Sequence, residues 1–176
     1  MTARMRRRAI GSGLLVAGLL AAAAAPRATP APAAASARAA HPDFSGRWAL
    51  DLARTDYGSM SSVKPRERLD VIAHRDPELS EHSFTVRSSG DTMRLQYRYT
   101  TDGREVLNHV IGQDVRSTAR WDGAALLIES HTKMLLLDVA VNERWTLRAG
   151  GRELVMERRS KLPVGETKQR LVFSRR

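Results

Sequence analysis

The stretch Phe44-Ser45-Gly46-Arg47-Trp48-Ala49-Leu50-Asp51 predicts the first strand of the folded domain. From residue 44 onward, short runs rich in Val, Thr, Leu and aromatic residues alternate with turn signals at a spacing of about ten residues, which is typical of an all-β sandwich or barrel. No run has convincing helical periodicity. The predicted strands cover residues 44–52, 67–75, 80–87, 92–101, 104–111, 114–121, 124–132, 138–148, 152–161 and 167–174.

The order of these strands predicts how the sheet is built. Consecutive hairpins without crossover helices give an up-and-down antiparallel meander. An open sheet of this size would expose two edges, so we expect closure into an 8–10-stranded barrel, which has room for one small ligand. The Gly-, Ser- and Pro-rich connection of residues 54–65 is expected to cross one mouth as a lid.

The residues before the first strand have the composition of an export signal. Four arginines within the first eight residues precede an uncharged apolar run, residues 13–25, that is too short to span a membrane. The Ala- and Pro-rich segment that follows cannot bury enough apolar area to become ordered. The predicted organisation is a signal peptide over residues 1–25 (with cleavage as late as 37–40), a disordered linker over 26–42 and a β-barrel over 43–176.

Charge and cysteine content narrow the compartment and the partners. The chain has no cysteine, which excludes a disulfide framework, a thiolate metal site and a lipid-anchored N-terminus. Residues 1–37 contain five arginines and no acid, so removing them would halve the formal charge of +10. We therefore expect a periplasmic or secreted protein without a transmembrane segment in the mature chain, and no nucleic-acid partner.

The turn signal Gly150-Gly151 predicts the register of the hairpin around it. In that register, Glu143 lies opposite Arg158 on the apolar face, and Gln169 joins them if Ser160 opposes Thr167 across the next loop. Buried charges cost several kcal/mol unless they are paired and hydrogen-bonded, so chance placement is improbable. The same register opposes Leu147 with Leu154 and Trp145 with Met156 inside, and Arg148 with Glu153 and Arg144 with Glu157 outside.

Asp102-Gly103 and Asp122-Gly123 are signals for two-residue type I′ hairpins. Such turns fix which residues face each other across the strands. The first predicts Tyr99 opposite Val106, Tyr97 opposite Asn108 and Leu95 opposite Val110. The second predicts Trp121 opposite Ala124, Ala119 opposite Leu126 and Ser117 opposite Ile128, with Arg116 opposite Glu129 outside.

The residues Gly46-Arg47-Trp48 at the start of the first strand resemble the Gly-x-Trp of the lipocalins, and the chain is similar to small lipocalin-like proteins of bacterial envelopes. The resemblance implies that Trp48 closes the barrel floor beside Gly46, with Arg170 or Arg175 as its cation-π partner. Ten strands are closer to the fatty-acid-binding proteins, calycin-type relatives whose barrels hold a ligand carboxylate through inward arginines. Residues 54–65 lack the composition of the helix pair that those proteins carry.

The preferred functional interpretation is a binding protein for a small amphipathic or hydrophobic molecule, with an anionic headgroup meeting Arg158. The candidate ligand-binding residues are Arg158, Glu143, Gln169, Tyr97, Tyr99, Asn108, Ser117 and Trp145. The apolar wall is expected from Leu95, Val110, Ile128, Val141, Trp145, Met156 and Leu171.

Catalysis, a metal and a cofactor are not expected. The chain has no nucleophile elbow, phosphate-binding glycine loop or dinucleotide fingerprint, and its histidines lack metal-ligand spacing or a close carboxylate partner. Two alternatives stay open: a protein-binding or protease-inhibitor-like barrel acting through the arm before Asp43, and an enzyme with Glu143 as base beside Tyr97. Seven arginines are predicted to point outward, and they either form a solvated face or make weak contact with an anionic envelope surface. They are Arg94, Arg98, Arg116, Arg120, Arg144, Arg148 and Arg170.

Overall fold

The computed structural model describes residues 41–134, 137–163 and 165–176. The predicted signal peptide and all but the last two residues of the predicted linker lie outside this part. Two short 3₁₀ segments, Gly58–Val63 and Ala149–Gly151, accompany the strands. The strands are β1 Gly46–Leu50, β2 Glu67–Arg75, β3 Glu78–Val86, β4 Thr92–Thr100, β5 Val106–Val110, β6 Gln113–Asp122, β7 Ala125–Met134, β8 Leu137–Arg148, β9 Glu153–Leu162 and β10 Gly165–Arg175.

The ten strands of the described part form one antiparallel sheet in the order β4-β3-β2-β1-β10-β9-β8-β7-β6-β5. Each strand pairs with the next strand in sequence, except that β4 and β5 share no ladder. The first and last strands, β1 and β10, also pair with each other. β4 and β5, at the two ends of this order, nevertheless lie side by side. The predicted all-β meander is therefore confirmed as a nearly closed barrel with one seam.

The side chain of Asn108 bridges this seam. Its Oδ1 accepts a hydrogen bond from the Arg98 backbone N–H at 2.7 Å, and its Nδ2 donates to the Arg98 carbonyl at 3.0 Å. The amide thus makes the two hydrogen bonds that a backbone residue of a paired strand would make. One buried polar side chain replaces one step of the missing ladder.

The prediction of a two-residue hairpin at Asp102-Gly103 is wrong. The chain here binds other parts of the barrel: Thr101 N–H donates to the Pro77 carbonyl, Gly103 N–H donates to the Ala119 carbonyl, both at 2.8 Å, and Asp102 forms a bridge with Arg120. Because the backbone is used by these contacts, the predicted pairings do not form. They are Tyr99 with Val106, Tyr97 with Asn108, and Leu95 with Val110.

The hairpin at Asp122-Gly123 exists, but with its register shifted by two residues. Asp122 pairs with Ala125, so the loop is Gly123-Ala124, and Gly123 takes the positive φ of 60°. A two-residue shift keeps every side chain on its predicted face. The observed pairs are Trp121 with Leu126, Ala119 with Ile128, Ser117 with Ser130 and Arg116 with His131, in place of the predicted ones.

The register predicted from Gly150-Gly151 is confirmed over its whole length. Leu147 faces Leu154, Trp145 faces Met156 and Glu143 faces Arg158. Across the next loop Ser160 faces Thr167, which places Gln169 beside Arg158. The inward charged pair predicted from the sequence therefore exists.

The barrel interior is packed in one half and hollow in the other. On β9, Leu154 and Met156 are fully buried in the core, whereas Arg158, Ser160 and Leu162 line a cavity. Three other strands have the same change from an apolar to a charged inward side chain. The two residues at the change are Trp145 and Glu143 on β8, Ile72 and Asp70 on β2, and Leu79 and Glu81 on β3. A charged layer thus separates the packed half from the hollow half.

Trp48 closes the packed end, as the resemblance implied. It is fully buried, and its indole N–H donates to the Phe44 carbonyl at 2.9 Å. The Arg175 guanidinium lies 4.4 Å from the centre of the Trp48 ring and donates to the carbonyls of Ser45, at 2.6 Å, and Gly151, at 2.8 Å. One arginine therefore ties the start of β1 to the loop after β8.

Gly46 is required beneath this arginine. Its φ is +144°, and a Cβ at this position would lie 2.8 Å from Nη1 of Arg175. Arg170, the other arginine considered for the floor, does not lie there: its backbone pairs with that of Asp56 on the connection after β1. In the part of the chain described, no helix is long and apolar enough to cross a membrane.

Replacing Asn108 with Ala should weaken the seam between β4 and β5. The change removes two hydrogen bonds to the Arg98 backbone and should lower the free energy of unfolding by about 1–3 kcal/mol. Urea denaturation followed by tryptophan fluorescence measures the loss. His109→Ala is the matched control, because His109 is the next residue on the same strand and its side chain is exposed. Equal losses in the two variants would mean that the amide bridge contributes nothing.

Candidate functional site

A cavity of about 670 Å³ occupies the hollow half of the barrel. Pockets for small molecules in proteins commonly have 300–1,000 Å³ and combine apolar walls with a few polar groups. The charged layer forms one end of this cavity, and the connection between β1 and β2 lies at the other. The apolar part of its wall includes Leu50, Met93, Leu95, Val115, Val141, Leu162 and Leu171, with Thr85, Ser130, Thr132, Ser160 and Thr167 between them.

The connection after β1 reaches the cavity mouth, where the sequence predicted a lid. Tyr57, Met60 and Val63 contribute to the cavity wall. Gly58 begins the 3₁₀ segment at a φ of +53°, and a Cβ there would lie 2.2 Å from the carbonyl oxygen of Lys168 on β10. Backbone hydrogen bonds between Asp56 and Arg170 hold the lid against β10, and the glycine at position 58 permits the close approach next to them.

Glu143 and Arg158 form the first ion pair of the charged layer. Nε of Arg158 lies 2.5 Å from Oε1 of Glu143, and the indole N–H of Trp145 donates to Oε2 at 2.9 Å. Burial alone would raise the pKa of Glu143, but Arg158 and the Trp145 hydrogen bond hold it below its usual value. Glu143 is thus a carboxylate with both oxygens occupied.

Arg68 and Asp70 form a second ion pair that the sequence analysis missed. Arg68 binds Asp70 through two hydrogen bonds, of 2.9 Å from Nε and 2.8 Å from Nη2, and its guanidinium lies 5.3 Å from the centre of the Phe173 ring. Burial alone would lower the pKa of Arg68, but the neighbouring Asp70 and Glu81 raise it above its usual value. Arg68 is therefore a fixed positive charge within the barrel.

Glu81 is the third carboxyl group of the layer, and it has the weakest ionic contact. Its Oε1 lies 3.2 Å from Nη2 of Arg68, an atom that already binds Asp70. Burial, followed by the negative charge of Asp70, raises the pKa of Glu81 to about 8. Glu81 is consequently protonated at neutral pH, in contrast to Glu143.

Two tyrosines stand beside Glu81. Tyr97 is the cross-strand neighbour of Glu81 on β4, and the Tyr97 and Tyr99 rings are stacked with their centres 6.0 Å apart. Burial, followed by the charge of Glu81, raises the pKa of both phenols, so both keep their protons at neutral pH. This corner of the cavity therefore combines a carboxyl group with aromatic rings and phenolic hydroxyls.

Two hydroxyl groups on the cavity wall lack a hydrogen-bond partner within the described residues. They are Oγ of Ser83 on β3 and the phenol of Tyr57, which belongs to the lid. Ser83 is 2% exposed and Tyr57 is 7% exposed. Buried polar groups are nearly always hydrogen-bonded, so these two hydroxyls are suited to meet a polar group inside the cavity.

The structure brings together five of the predicted ligand-binding residues. Arg158, Glu143, Gln169, Tyr97 and Tyr99 all line the cavity. Of the predicted apolar wall, Leu95, Val141 and Leu171 line it, while Val110, Ile128 and Met156 are buried away from it.

Three predicted residues do not line the cavity. Asn108 bridges the seam, and Ser117 is buried with its hydroxyl bonded to that of Ser130 at 2.8 Å. Trp145 lies in the packed half and reaches the site only through its hydrogen bond to Glu143. Each has an inward side chain, as predicted, but contacts protein atoms instead of the cavity.

The missed residues lie on strands whose sequence pattern points to the wrong face. On β2, Leu69 and Val71 alternate with Arg68 and Asp70, which ordinarily indicates that the apolar pair is buried. The structure has the opposite arrangement, with Asp70 fully buried. The two-residue loop Asp76-Pro77 fixes the pairing of β2 with β3 and so places Asp70 on one face with Ile72 and Glu81, but that register does not say which face is inward.

The histidines differ in part from expectation. Nδ1 of His109 lies 2.6 Å from Asp114, and His74 lies 3.7 Å from Asp43 and 3.9 Å from Asp76, so the expectation that no histidine has a close carboxylate partner is wrong. Among the described residues, however, no group of three or more His, Cys, Asp or Glu side chains is arranged to hold a metal ion.

Known proteins share the fold of this chain. A crystal structure of a zebrafish ileal bile acid-binding protein complexed with cholic acid superposes with a TM-score of 0.52 at 8% identity, over 76% of this chain and 98% of that one. A secretory abundant heat soluble (SAHS) protein from Ramazzottius varieornatus superposes with a TM-score of 0.56 at 11% identity, over 75% and 94%. The sequence matches no protein-family model, and no curated protein matches it. The likeness shows the fold alone, a ten-stranded antiparallel β-barrel like those of these two proteins.

The pKa of Glu81 predicts how stability depends on pH. In the unfolded chain this group titrates near 4.5, whereas in the folded barrel it titrates near 8, so the folded state holds a proton that the unfolded state has lost between these values. The contribution to stability is therefore full below about pH 4.5 and is lost as pH rises through about 8. The difference in unfolding free energy between wild type and Glu81→Gln, measured in urea from pH 5 to pH 9, should shift in favour of the variant as pH rises. The exposed Glu157→Gln should follow wild type, and a wild-type-like pH profile in Glu81→Gln would refute the assignment.

Proposed function

We propose that this protein is an exported binding protein that carries a small amphipathic or hydrophobic molecule inside its barrel. The observation that carries the proposal is the cavity of about 670 Å³ between the charged layer and the lid. Protein interiors are packed at the density of organic crystals and contain few voids larger than a water molecule. A cavity of this size, in a barrel whose other half is fully packed, is best explained by a ligand.

The chemistry of the wall indicates an amphipathic ligand. Leucine, valine and methionine side chains suit an apolar chain or ring system, and the charged layer at the inner end offers hydrogen bonds that fix its orientation. Val63 on the lid is 60% exposed, which leaves apolar surface at the mouth where such a molecule would enter. This wall supports an orientation in which the polar end of the ligand points inward and its apolar end points toward the lid.

Binding accounts for the site better than catalysis does. Glu143, the base of the enzyme alternative, has its two oxygens occupied by Arg158 and Trp145. A general base needs free access to the proton that it removes. We therefore propose a carrier without catalytic activity.

The alternative of a barrel that acts through an N-terminal arm loses one argument. A filled interior would have favoured it, and the interior is hollow. The structure describes only residues 41 and 42 of this arm. The His41 ring stacks on the Trp121 ring, with the ring centres 4.2 Å apart. Export to the periplasm or the medium is part of the present proposal and rests on the arginines and the apolar run at the start of the chain.

Filling the cavity should abolish binding without unfolding the barrel. Val141 lies on the cavity wall between Ser130 and Ser160, so Val141→Trp places an indole in the space of the ligand. We expect the affinity for Nile red, a neutral apolar dye whose fluorescence reports binding, to fall by about tenfold or more, which corresponds to about 1.4 kcal/mol. The melting temperature should stay close to that of wild type.

Leu107→Trp is the matched control, because Leu107 lies on the outer surface of β5 and is 45% exposed. This variant should bind the dye as wild type does. Failure of wild type to bind any apolar dye, or equal binding by Val141→Trp, would overturn the carrier proposal.

A further inference from the structure

The charged layer at the inner end of the cavity has more acids than bases. Its carboxyl groups are those of Asp70, Glu81 and Glu143, which are 0%, 4% and 9% exposed, and its guanidinium groups are those of Arg68 and Arg158. Each arginine is already paired with one carboxylate, Arg68 with Asp70 and Arg158 with Glu143. Glu81 is left over.

An anionic headgroup is therefore poorly matched to this layer. With Glu81 protonated, the two ion pairs make the layer neutral, and a bound carboxylate would leave it with an uncompensated negative charge in a buried site. The sequence analysis expected Arg158 to meet an anionic group, but its positive charge is already balanced by Glu143, whose Oε1 lies 2.5 Å from Nε. A positive headgroup has the opposite effect, since it would compensate the charge of an ionised Glu81.

The surroundings of Glu81 fit a cation. Tyr97 is its direct cross-strand neighbour, and the stacked Tyr97 and Tyr99 rings line the same cavity. Ammonium groups are recognised by aromatic faces together with a carboxylate, because the negative face of each ring attracts the positive charge. The free hydroxyl of Ser83, which is two residues along β3 from Glu81 and 2% exposed, is an unused acceptor for an N–H group.

We propose that the ligand of this cavity is an amphiphile with a cationic amine headgroup, bound by Glu81 with the Tyr97 and Tyr99 rings and Ser83, and with its apolar part directed toward the lid. This inference rests on the proposed carrier function and adds the class of its ligand. The pairs Arg68 with Asp70 and Arg158 with Glu143 balance the charge of the arginines, so a bound acid would add an uncompensated negative charge.

Binding of an amine should release a proton. Free Glu81 is protonated at pH 7, since burial raises its pKa to about 8, and it must ionise to pair with an ammonium. The groups that face it decide this equilibrium: Arg68 and Asp70 on β2, Tyr97 and Tyr99 on β4, Glu143 on β8 and Arg158 on β9. The proton leaves the Glu81 carboxyl group for the solvent, and no other group changes its charge.

The test is competition against Nile red by three compounds with the same twelve-carbon chain, used below their micelle concentrations at pH 7. They are dodecylamine, dodecanol and dodecanoate, which carry a positive, a neutral and a negative headgroup. We expect dodecylamine to displace the dye at a concentration about tenfold or more below that of dodecanoate. Dodecanol should lie between them.

Two further measurements assign the preference to Glu81. In Glu81→Gln the ratio of dodecylamine to dodecanol affinity should fall to about one, whereas the outward Glu157→Gln should keep the wild-type ratio. Calorimetry of wild type in two buffers with different ionisation enthalpies should show about one proton released per dodecylamine bound at pH 7. The calorimetric result does not depend on the variant folding.

The outcomes separate this inference from the carrier proposal. If all three compounds displace the dye but dodecanoate is the equal of dodecylamine or better, the cavity is a carrier site and the amine assignment is overturned. The same holds if dodecylamine binds without proton release or if Glu81→Gln keeps the wild-type ratio. If wild type binds neither the dye nor any of the three compounds, the carrier proposal itself fails.

Discussion

The pairing of charges inside the barrel is the constraint on which the rest of this structure depends. Each ion buried away from water costs several kcal/mol unless a partner and hydrogen bonds compensate it. Arg158 pairs with Glu143 on the neighbouring strand. Arg68 pairs with Asp70 on its own strand and with Glu81 on the neighbouring one. These contacts exist only in the observed registers. A slip of one residue would turn the whole inward set to the solvent. The layer thus fixes the register and also ends the apolar core, because no close-packed core continues through it.

This layer separates the part of the barrel that supplies stability from the part available to a ligand. Below it, Trp48, Trp145 and Phe173 are fully buried, and Arg175 ties β1 to the loop after β8. Above it, on the side of the lid, the wall surrounds empty space, and backbone hydrogen bonds between Asp56 and Arg170 hold the lid to β10. A substitution above the layer can therefore change binding without removing core contacts. The proposed amine site lies at the boundary, where rigid strands hold the polar groups.

The sequence predicted the fold well because strand patterns and turns are local signals. The runs of alternating residues gave strands close to those observed, and Gly150-Gly151 gave the correct register since both loop glycines have positive φ, which other residues adopt at a cost. The two Asp-Gly signals were less reliable. At Gly123 the loop is displaced by one residue along the chain, and at Gly103 the backbone binds Ala119 on another strand. A turn signal says that the chain bends but not what the bent segment contacts.

The sequence by itself determined the up-and-down order of consecutive strands and the inward position of Glu143, Arg158 and Gln169, while the role of Trp48 at the barrel floor came from the resemblance to the lipocalins. It could do so because alternation along a strand has a period of two and one confirmed turn fixes the parity of two strands. The tertiary structure decided the rest. On β2 the apolar alternation indicates the wrong face, and only closure of the sheet brings Arg68, Asp70 and Glu81 to the same layer as the Glu143 pair. Whether the interior is hollow also depends on closure, because a cavity is a volume enclosed by all the strands together and no single strand pattern encodes it.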